Sequence, residues 1–546
     1  MEYVKSVISQ CNKLFEKKQG LDNLNQKIAE MFHPERANFT TGRSIGDELC
    51  DGLMTSYTIL VCRDLGNAFG AMLRPTAKPW FHIRTTRSPE SDDDTPEKQW
   101  LERTEIFLRN VMGQRESLFA RATTEADRDF AAFGQAVLSV EYLKEHRNIL
   151  FRCWHLRDVA WMEDLQGNAS TVYRRWLPTA VDLAGMFPKT VHSEVTKLID
   201  KDPYKEINVI HCVMPTSVWM KVCGGKKFLQ PYVSCYVDVA NVHCIEMVGI
   251  WTNPYVIPRW SMSSGSQYAS SPASVAGLPD ARLIQDVTAT VLDAAKMAIK
   301  PPMTAVDGAI VGDVALYPGG ITIVDRAYDD RTGKIIEPLS DPHSNIPIGL
   351  ELIADIRTQL ADAFYISKLT LPPVDGKVMT ATEVARRMEE YTRHAVTLFE
   401  PMESEYNGRL CETTLEILMR EEPRMLEGMP ETLGGAEFTF SFESPLRDAL
   451  EKIKVGQLME AWQILAQAVQ FDENTILILD NALAVRDALS AVSPKAWMRD
   501  KDTVRRLSEA RAKEQQTQQM LAMMQQGADV AKTIKEASPT VGQGGL

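Results

Sequence analysis

Residues able to do chemistry are plentiful in this chain, but they do not fall into the spacings that chemistry requires. A phosphate-cradling loop needs G-x-x-x-x-G-K-[ST]; here Gly376-Lys377 is followed by Val378, and Leu371 stands where the first glycine belongs. There is no G-x-G-x-x-G after a strand and no H-E-x-x-H. His192-Ser193-Glu194 has the H-x-E spacing of a zinc-dependent deaminase, yet the P-C-x-x-C that would complete the zinc site is missing. Asp92-Asp93-Asp94 lies in a Ser/Pro-rich stretch that suits a solvated turn better than a cation site. The nine histidines are scattered without ligand spacing. The nine cysteines are widely spaced, odd in number and include no C-x-x-C pair, which argues against a disulfide framework or a zinc site and for buried, reduced thiols. No catalytic residue, cofactor or metal is expected, and the chain does not read as an enzyme.

With 546 residues the chain is too long for one ordinary core, and roughly two to four domains are expected. Its net charge of −13 lacks the basic excess of a free nucleic-acid-binding module. An acidic wall would repel phosphates and let a duplex slide. The first twenty residues carry Lys5, Lys13, Lys17 and Lys18 without the apolar centre of a signal peptide, and no run of about 18 apolar residues spans a membrane. Synthesis and assembly in the cytoplasm are expected.

The elements follow from periodicity. Residues 1–32 read as an amphipathic helix pair ending at His33-Pro34, 47–73 as a helix stopped by Pro75, and 97–133 as further helix. From Gln135 to Trp260 short alternating runs read as strands, with a turn at Gln166-Gly167-Asn168 and a helix over 178–200. After a Ser/Gly-rich loop from Ser261 to Gly277, a helix carries Leu283, Ile284, Val287, Val291, Ala294, Ala295 and Ala298 on one face and stops at Pro301-Pro302. Residues 303–346 are rich in strand and turn signals, and Ile348 to Phe364 returns as a helix with Ile353, Ile356, Leu360 and Ala363 aligned. Such an out-and-back helix pair with a small β tip is awkward in a monomer, and packing against copies of itself would bury both stripes. Val384, Met388, Tyr391, Ala395, Leu398 and Met402 then mark a long helix with a capping box at Thr380–Glu383 and a kink at Pro401. Residues 445–489 and 501–536 read as helix, and the tail from Ser538 as disordered.

Several collinear segments resemble the head-to-tail connector, or portal, family of short-tailed bacteriophages. The most specific is Pro258, Arg259-Trp260, Gly265, Tyr268, Ser271-Pro272 and Leu278-Pro279-Asp280, with Ala269-Ser270 where the family often has Gly-Arg. Leu73-Arg74-Pro75 with Pro79-Trp80-Phe81, Phe133-Gly134-Gln135-Ala136, Asp158–Glu163 with Gly167 and Arg174-Arg175, and Thr380–Val384 with Arg387 agree in order. The match covers about residues 30–500.

The resemblance implies an α+β portal fold, mainly helical with a β-rich wing and clip, assembled as a ring, usually of twelve copies. It implies a wing over 1–280, stem helices over 281–299 and 347–365, a clip over 301–346 and a tunnel loop over 366–379. The long wing helix and a following strand would span 380–444, a crown 445–504, and a C-terminal helix or barrel 505–546. The function implied is mechanical: a ring at the capsid vertex through which double-stranded DNA is packaged and ejected, contacting major capsid and scaffolding proteins, the terminase large subunit and the tail adaptor, with no membrane. Lys368 and Lys377 flank the tunnel loop, where they either touch phosphates transiently or are simply solvated. Asp325, Arg326, Asp329, Asp330, Arg331 and Lys334 belong to a clip with seven acidic and three basic residues, a net of −4. That tip would either meet a basic motor surface or merely stay soluble. Arg259-Trp260, with Tyr268, Pro272, Pro279 and Asp280, reads as a structural pin joining wing to stem. A phage scaffold or adaptor without a tunnel, and a cytosolic enzyme with an unrecognised site, are the competing readings.

Overall fold

The computed structural model describes residues 2–75, 79–85, 96–144, 146–224, 226–300, 303–305, 336–338, 346–369 and 402–442, and helical pieces within 458–517. The chain divides into two compact units. One comprises Met1–Arg84, Leu101–Met429 and Phe438–Arg447; the other comprises Thr85–Trp100, Pro430–Glu437 and Asp448–Leu546.

In the first unit, α1 (Glu2–Phe32) is a single helix of 31 residues, not the expected pair. Gly20 costs about 1 kcal/mol relative to alanine within a helix, but apolar contacts on both sides of it outweigh that cost. Val4, Val7, Cys11, Leu14 and Phe15 enter one core, and Ile28, Ala29 and Phe32 enter another. Close by, the buried Lys18 ammonium donates to the Leu156 carbonyl and, at 2.9 Å, to that of Val159, and pairs with Asp22 at 3.3 Å. The next helix, α2 (Tyr57–Leu73), begins ten residues later than its pattern indicates. The Met54 and Thr55 amides donate to the Gln285 side-chain oxygen at 2.6 and 3.0 Å, so the preceding loop is held by a distant side chain instead of by helical bonds.

After β1 (Phe81–Thr85), the stretch read as one helix is two, α3 (Pro96–Gly113) and α4 (Phe119–Phe133). A 3-10 turn at Arg115–Ser117 and Leu118 in the left-handed region (φ 53°) separate them. The β-rich stretch follows. β2 (Val137–Leu143) and β3 (Asn148–Trp154) form one sheet. β4 (Val159–Glu163), β5 (Ala169–Trp176), β6 (Val209–Pro215), β7 (Tyr232–Asp238) and β8 (His243–Ile250) form an antiparallel five-stranded sheet in sequence order. The expected single helix over 178–200 is again two, α5 (Ala180–Met186) and α6 (Ser193–Lys201), and α7 (Thr216–Val222) follows β6. A short β9 (Tyr255–Val256) returns the chain to the edge of β2.

The chain leaves this region through a π turn at Ala273–Gly277 into α8 (Leu278–Ile299) and comes back as α9 (Ile346–Ala363). Between them, β10 (Met303–Ala305) pairs antiparallel with β11 (Ile336–Pro338). The two helices touch closely, because a Cβ on Gly349 would stand 2.5 Å from Val291 Cγ2. Their inner ends, Ala281, Ile284, Ile356 and Leu360, are buried in the main core. Their outer ends are different: Leu292, Met297, Ile299, Ile348 and Leu350 are between 46% and 79% exposed. Beyond a left-handed Tyr365 (φ 59°), Ile366–Leu369 is the short helix α10. The expected long helix lies outside the described residues until Met402, from which a π turn (Glu403–Gly408) runs into α11 (Arg409–Glu421). β12 (Phe438–Phe442) pairs with β1. In the second unit, α12 (Asn481–Val492) is described, and Thr432 Oγ1 donates to Glu97 at 2.7 Å.

Gly134 ends α4 with φ 72°, and a Cβ there would run into the Ser270 carbonyl. Gly134→Ala is therefore expected to cost at least ~1–2 kcal/mol from the left-handed backbone alone, read as a lower denaturation midpoint. Gly20→Ala, on an open helix surface with nothing within 4 Å, is expected to raise the midpoint instead, by about 0.5–1 kcal/mol.

Candidate functional site

The strap from Pro258 to Asp280 is where the strands, the early helices and the α8–α9 pair meet. Arg259 bridges to Gln135 through its backbone, and its buried guanidinium pairs with Glu163, donates to the Gly167 carbonyl at 2.7 Å and lies 4.0 Å from Glu405. The Trp260 amide donates to the Gly134 carbonyl at 2.8 Å. Its ring stacks on Phe130 of α4 (5.5 Å, 11°), meets Phe69 of α2 edge-on (5.3 Å) and lies 6.2 Å from Tyr365, just past α9. Tyr268 packs on Trp161 of β4 at 4.6 Å, while Gln267 and Trp161 exchange two side chain–backbone hydrogen bonds of 3.0 and 3.2 Å. Burial pushes the Tyr268 hydroxyl up to about 12, so it stays neutral.

Downstream, Ser271 Oγ donates to the Ala132 carbonyl at 2.7 Å, and Pro272 leads into the π turn. Gly277 must lack a side chain, since a Cβ would stand 2.9 Å from Phe364 and 3.1 Å from Phe32. Pro279 occupies the first turn of α8, where its missing N–H leaves no helical bond unmade. Asp280 places a negative charge at the same helix end, which favours it. Thus Arg259, Trp260, Tyr268, Pro272, Pro279 and Asp280 lie on one strap touching α2, α4, the five-stranded sheet and both helices of the α8–α9 pair. Lys368 stands on α10 and not in a loop; Lys377, Asp325, Arg326, Asp329, Asp330, Arg331 and Lys334 lie outside the described residues.

A second arrangement escaped sequence reasoning. Arg74, just past α2, contacts both Asp127 carboxylate oxygens at 2.5 Å and donates to Asn407 Oδ1 at 2.8 Å. Asn407 Nδ2 donates back to the Leu73 carbonyl at 3.0 Å, and the guanidinium lies over the Tyr406 ring at 4.8 Å. Burial opposes the Arg74 charge, but Asp127 beside it outweighs that and holds its pKa above the ordinary value. Asp127 itself is pushed up by burial and drawn back by Arg74. The clue was Asp127 itself, a carboxylate on the face of α4 shared with Ala126, Phe130 and Ala131.

Two histidines are held neutral, one within β6 and one just past the end of β3. His211 stacks on Tyr236 at 4.1 Å, and its ring nitrogens meet Tyr255 Oη at 2.6 Å and Ser234 Oγ at 2.9 Å. Burial and Arg174 hold its pKa well below the ordinary value. His155, whose Nδ1 accepts from the Arg157 amide at 3.0 Å, is lowered by burial and Arg36 to about 4. The unfolded chain then binds more protons than the folded one as pH falls from the ordinary 6.5 toward 4. The thermal midpoint is expected to be full above that window and to drop within it. His155→Gln is expected to flatten the slope.

A cleft of about 770 Å³ opens beside the strap, lined by Arg259, Glu405, Arg409, Glu412, Glu416 and Arg420 among others, with no histidine, cysteine or lysine in its lining. Its charges are largely paired: Arg409 with Glu412 at 3.7 Å, and Glu416 with Arg420 through Thr252 Oγ1 at 2.7 and 2.9 Å. Among the described residues no group of three or more His, Cys, Asp or Glu side chains could hold a metal, and no helix is long and apolar enough to cross a membrane.

The strap thus locks a β-rich region to the α8–α9 helix pair. The model of the bacteriophage head to tail connecting protein matches residues 4–496. The chain belongs to that family. As a head-to-tail connecting protein it is a structural component of a phage particle. It is 24% identical over 521 residues to the probable portal protein of Bordetella phage BPP-1 and 22% identical over 523 residues to the portal protein of Salmonella phage epsilon15. Each alignment covers 93% of this chain and 91% of the relative. Among solved structures, a chain from the virion of a native gene transfer agent particle shares 12% identity over 78% of this head-to-tail connecting protein and 89% of its own length, with a TM-score of 0.35.

Proposed function

We propose that this chain is the portal subunit of its phage, working as a closed ring of twelve copies through which double-stranded DNA enters and leaves the capsid. The observation that carries this reading is the α8–α9 pair, rooted in the core at one end and apolar but uncovered at the other. Side chains such as Ile299 and Ile348, 79% and 65% exposed, have their natural cover in the next copy of the chain. The ring assembles in the host cytoplasm. It contacts the terminase large subunit through the clip over 301–346, the major capsid and scaffolding proteins through the wing, and later the tail adaptor. The wall is not catalytic; the motor supplies the ATP chemistry. A net charge of −13 per chain suits a conduit that does not hold phosphates.

The deciding experiment is the mass of the purified assembly together with negative-stain images. A hollow ring near twelve times 61.2 kDa is expected. A compact monomer, or an assembly without a central opening, would favour the scaffold or adaptor reading. Within the ring, Lys368 and Lys377 touch the duplex transiently. Charge reversal of both is expected to lower the packaged DNA per particle, and normal packaging and retention would remove that role.

A further inference from the structure

Strands β7 and β8 bring two thiols together by a feature unrelated to DNA passage. Cys235 pairs in register with Met247, and Cys244 with Val237, with a register shift between Tyr236 and Val237. The shift leaves Ile245 as an extra residue in β8. Side chains alternate along a strand, so without that residue Cys244 would face the opposite side of the sheet from Cys235. With it, Cys244 shares the face of Cys235 and Val237 under α1 and α7, while Ile245 enters the core on the other side. The two sulfurs lie 3.8 Å apart. We propose that Cys235 and Cys244 are an oxidisable pair that closes to an intrachain disulfide when the protein meets a hydroperoxide, fastening the outer strand β8 to β7.

The chemistry follows from the asymmetry of the two sites. Cys235 is fully buried, whereas Cys244 is only partly so. The Cys235 and Cys244 sulfurs are within hydrogen-bonding reach of each other, and that contact, with a second to Tyr3, lowers the Cys244 pKa to about 7 despite its burial. As the less buried sulfur and the more readily ionised of the two, Cys244 is the nucleophile. Its sulfur attacks one peroxide oxygen, giving a Cys244 sulfenic acid and releasing the other oxygen as hydroxide, which takes up a proton to become water. The Cys235 sulfur then attacks the sulfenic sulfur, losing its proton as hydroxide leaves, and the second water forms. Two thiols are oxidised by two electrons and one peroxide is reduced to two waters. The sulfurs close to about 2.05 Å. The other thiols of this core are poorer candidates: burial pushes Cys11 up to about 11 and holds Cys212 well above its ordinary range. A pair of this kind stays open in a reducing cell and closes in a particle released from it.

The test uses the full-length assembled protein exposed to dilute hydrogen peroxide, then alkylated, denatured and mapped by peptide mass. The expected product is a Cys235–Cys244 peptide lighter by two hydrogens, with free thiols falling from nine to seven. In C235S the hydroxyl keeps a hydrogen-bond donor beside Cys244 but cannot resolve the sulfenic acid, so dimedone is expected to label Cys244; in C244S neither product forms. Peroxide treatment that leaves both cysteines alkylatable, or oxidises the exposed Cys50 while sparing them, overturns the proposal, as does C235S that dimedone does not label at Cys244. None of these readouts depends on the ring.

Discussion

Replacing Arg74 by alanine is expected to destabilise the first unit by about 3–5 kcal/mol, because it leaves the Asp127 carboxylate buried without its counter-charge. The side chains of both partners are under 7% exposed, so water cannot enter to replace the lost contact. Asn407 also loses the donor at its Oδ1, and Tyr406 loses the cation over its ring. These contacts join the end of α2, the middle of α4 and the π turn before α11, so the loss should spread across all three. Urea denaturation of the Arg74→Ala protein is expected to show a shifted midpoint with the slope unchanged. The double change Arg74→Met with Asp127→Leu removes both charges and is expected to recover much of the loss, since an apolar pair of similar volume avoids desolvation. A single change that costs under ~1 kcal/mol would mean that Asp127 finds another partner or protonates freely, and the pair would then not be what fixes these elements.

That network illustrates where reading the sequence stopped. Apolar periodicity locates α8, α9 and the strand-rich stretch because each is set by its own local pattern, and proline and glycine at Pro272, Gly277 and Pro279 mark the junction between them. Interactions across long separations leave no such local trace. Gln285 holds the amides of Met54 and Thr55, more than two hundred positions away, and so decides where α2 begins. β1 finds its partner in β12 at the far end of the first unit. Lys18 looks like one of several solvated lysines on α1, yet it is buried and spent on two backbone carbonyls. The same limit applies to Gly20: helix propensity argues for a break, and packing on both sides of it argues for continuity and prevails. At the strap, the residue types were legible but their partners were not. Trp260 announces a large apolar contact, whereas only the fold shows Phe69, Phe130 and Tyr365 gathering around it.

The outer half of the α8–α9 pair supplies the other large effect, on assembly instead of stability. Changing Leu292 and Ile348 together to aspartate is expected to leave the isolated chain folded and to abolish the ring. Both side chains are substantially exposed in the single chain, at 46% and 65%, so charges there remain hydrated and stability should move by no more than about 0.5 kcal/mol per site. In a ring each interface recurs around the circle, and every copy would bring two carboxylates against the apolar surface of its neighbour. Covering a leucine or isoleucine contributes roughly 1.5–3 kcal/mol, and the substitution exchanges that gain for an unpaired charge taken out of water. Ile284→Asp is the necessary contrast. It lies on the same helix but is fully buried within the chain's own core, so it is expected to unfold the protein before assembly becomes a question. Sedimentation of the double-aspartate variant, with circular dichroism to confirm its fold, separates the two outcomes. A folded monomer places the contact between copies on these helices, whereas an intact ring would show that the subunits are held together elsewhere and that the exposed stripe serves another partner.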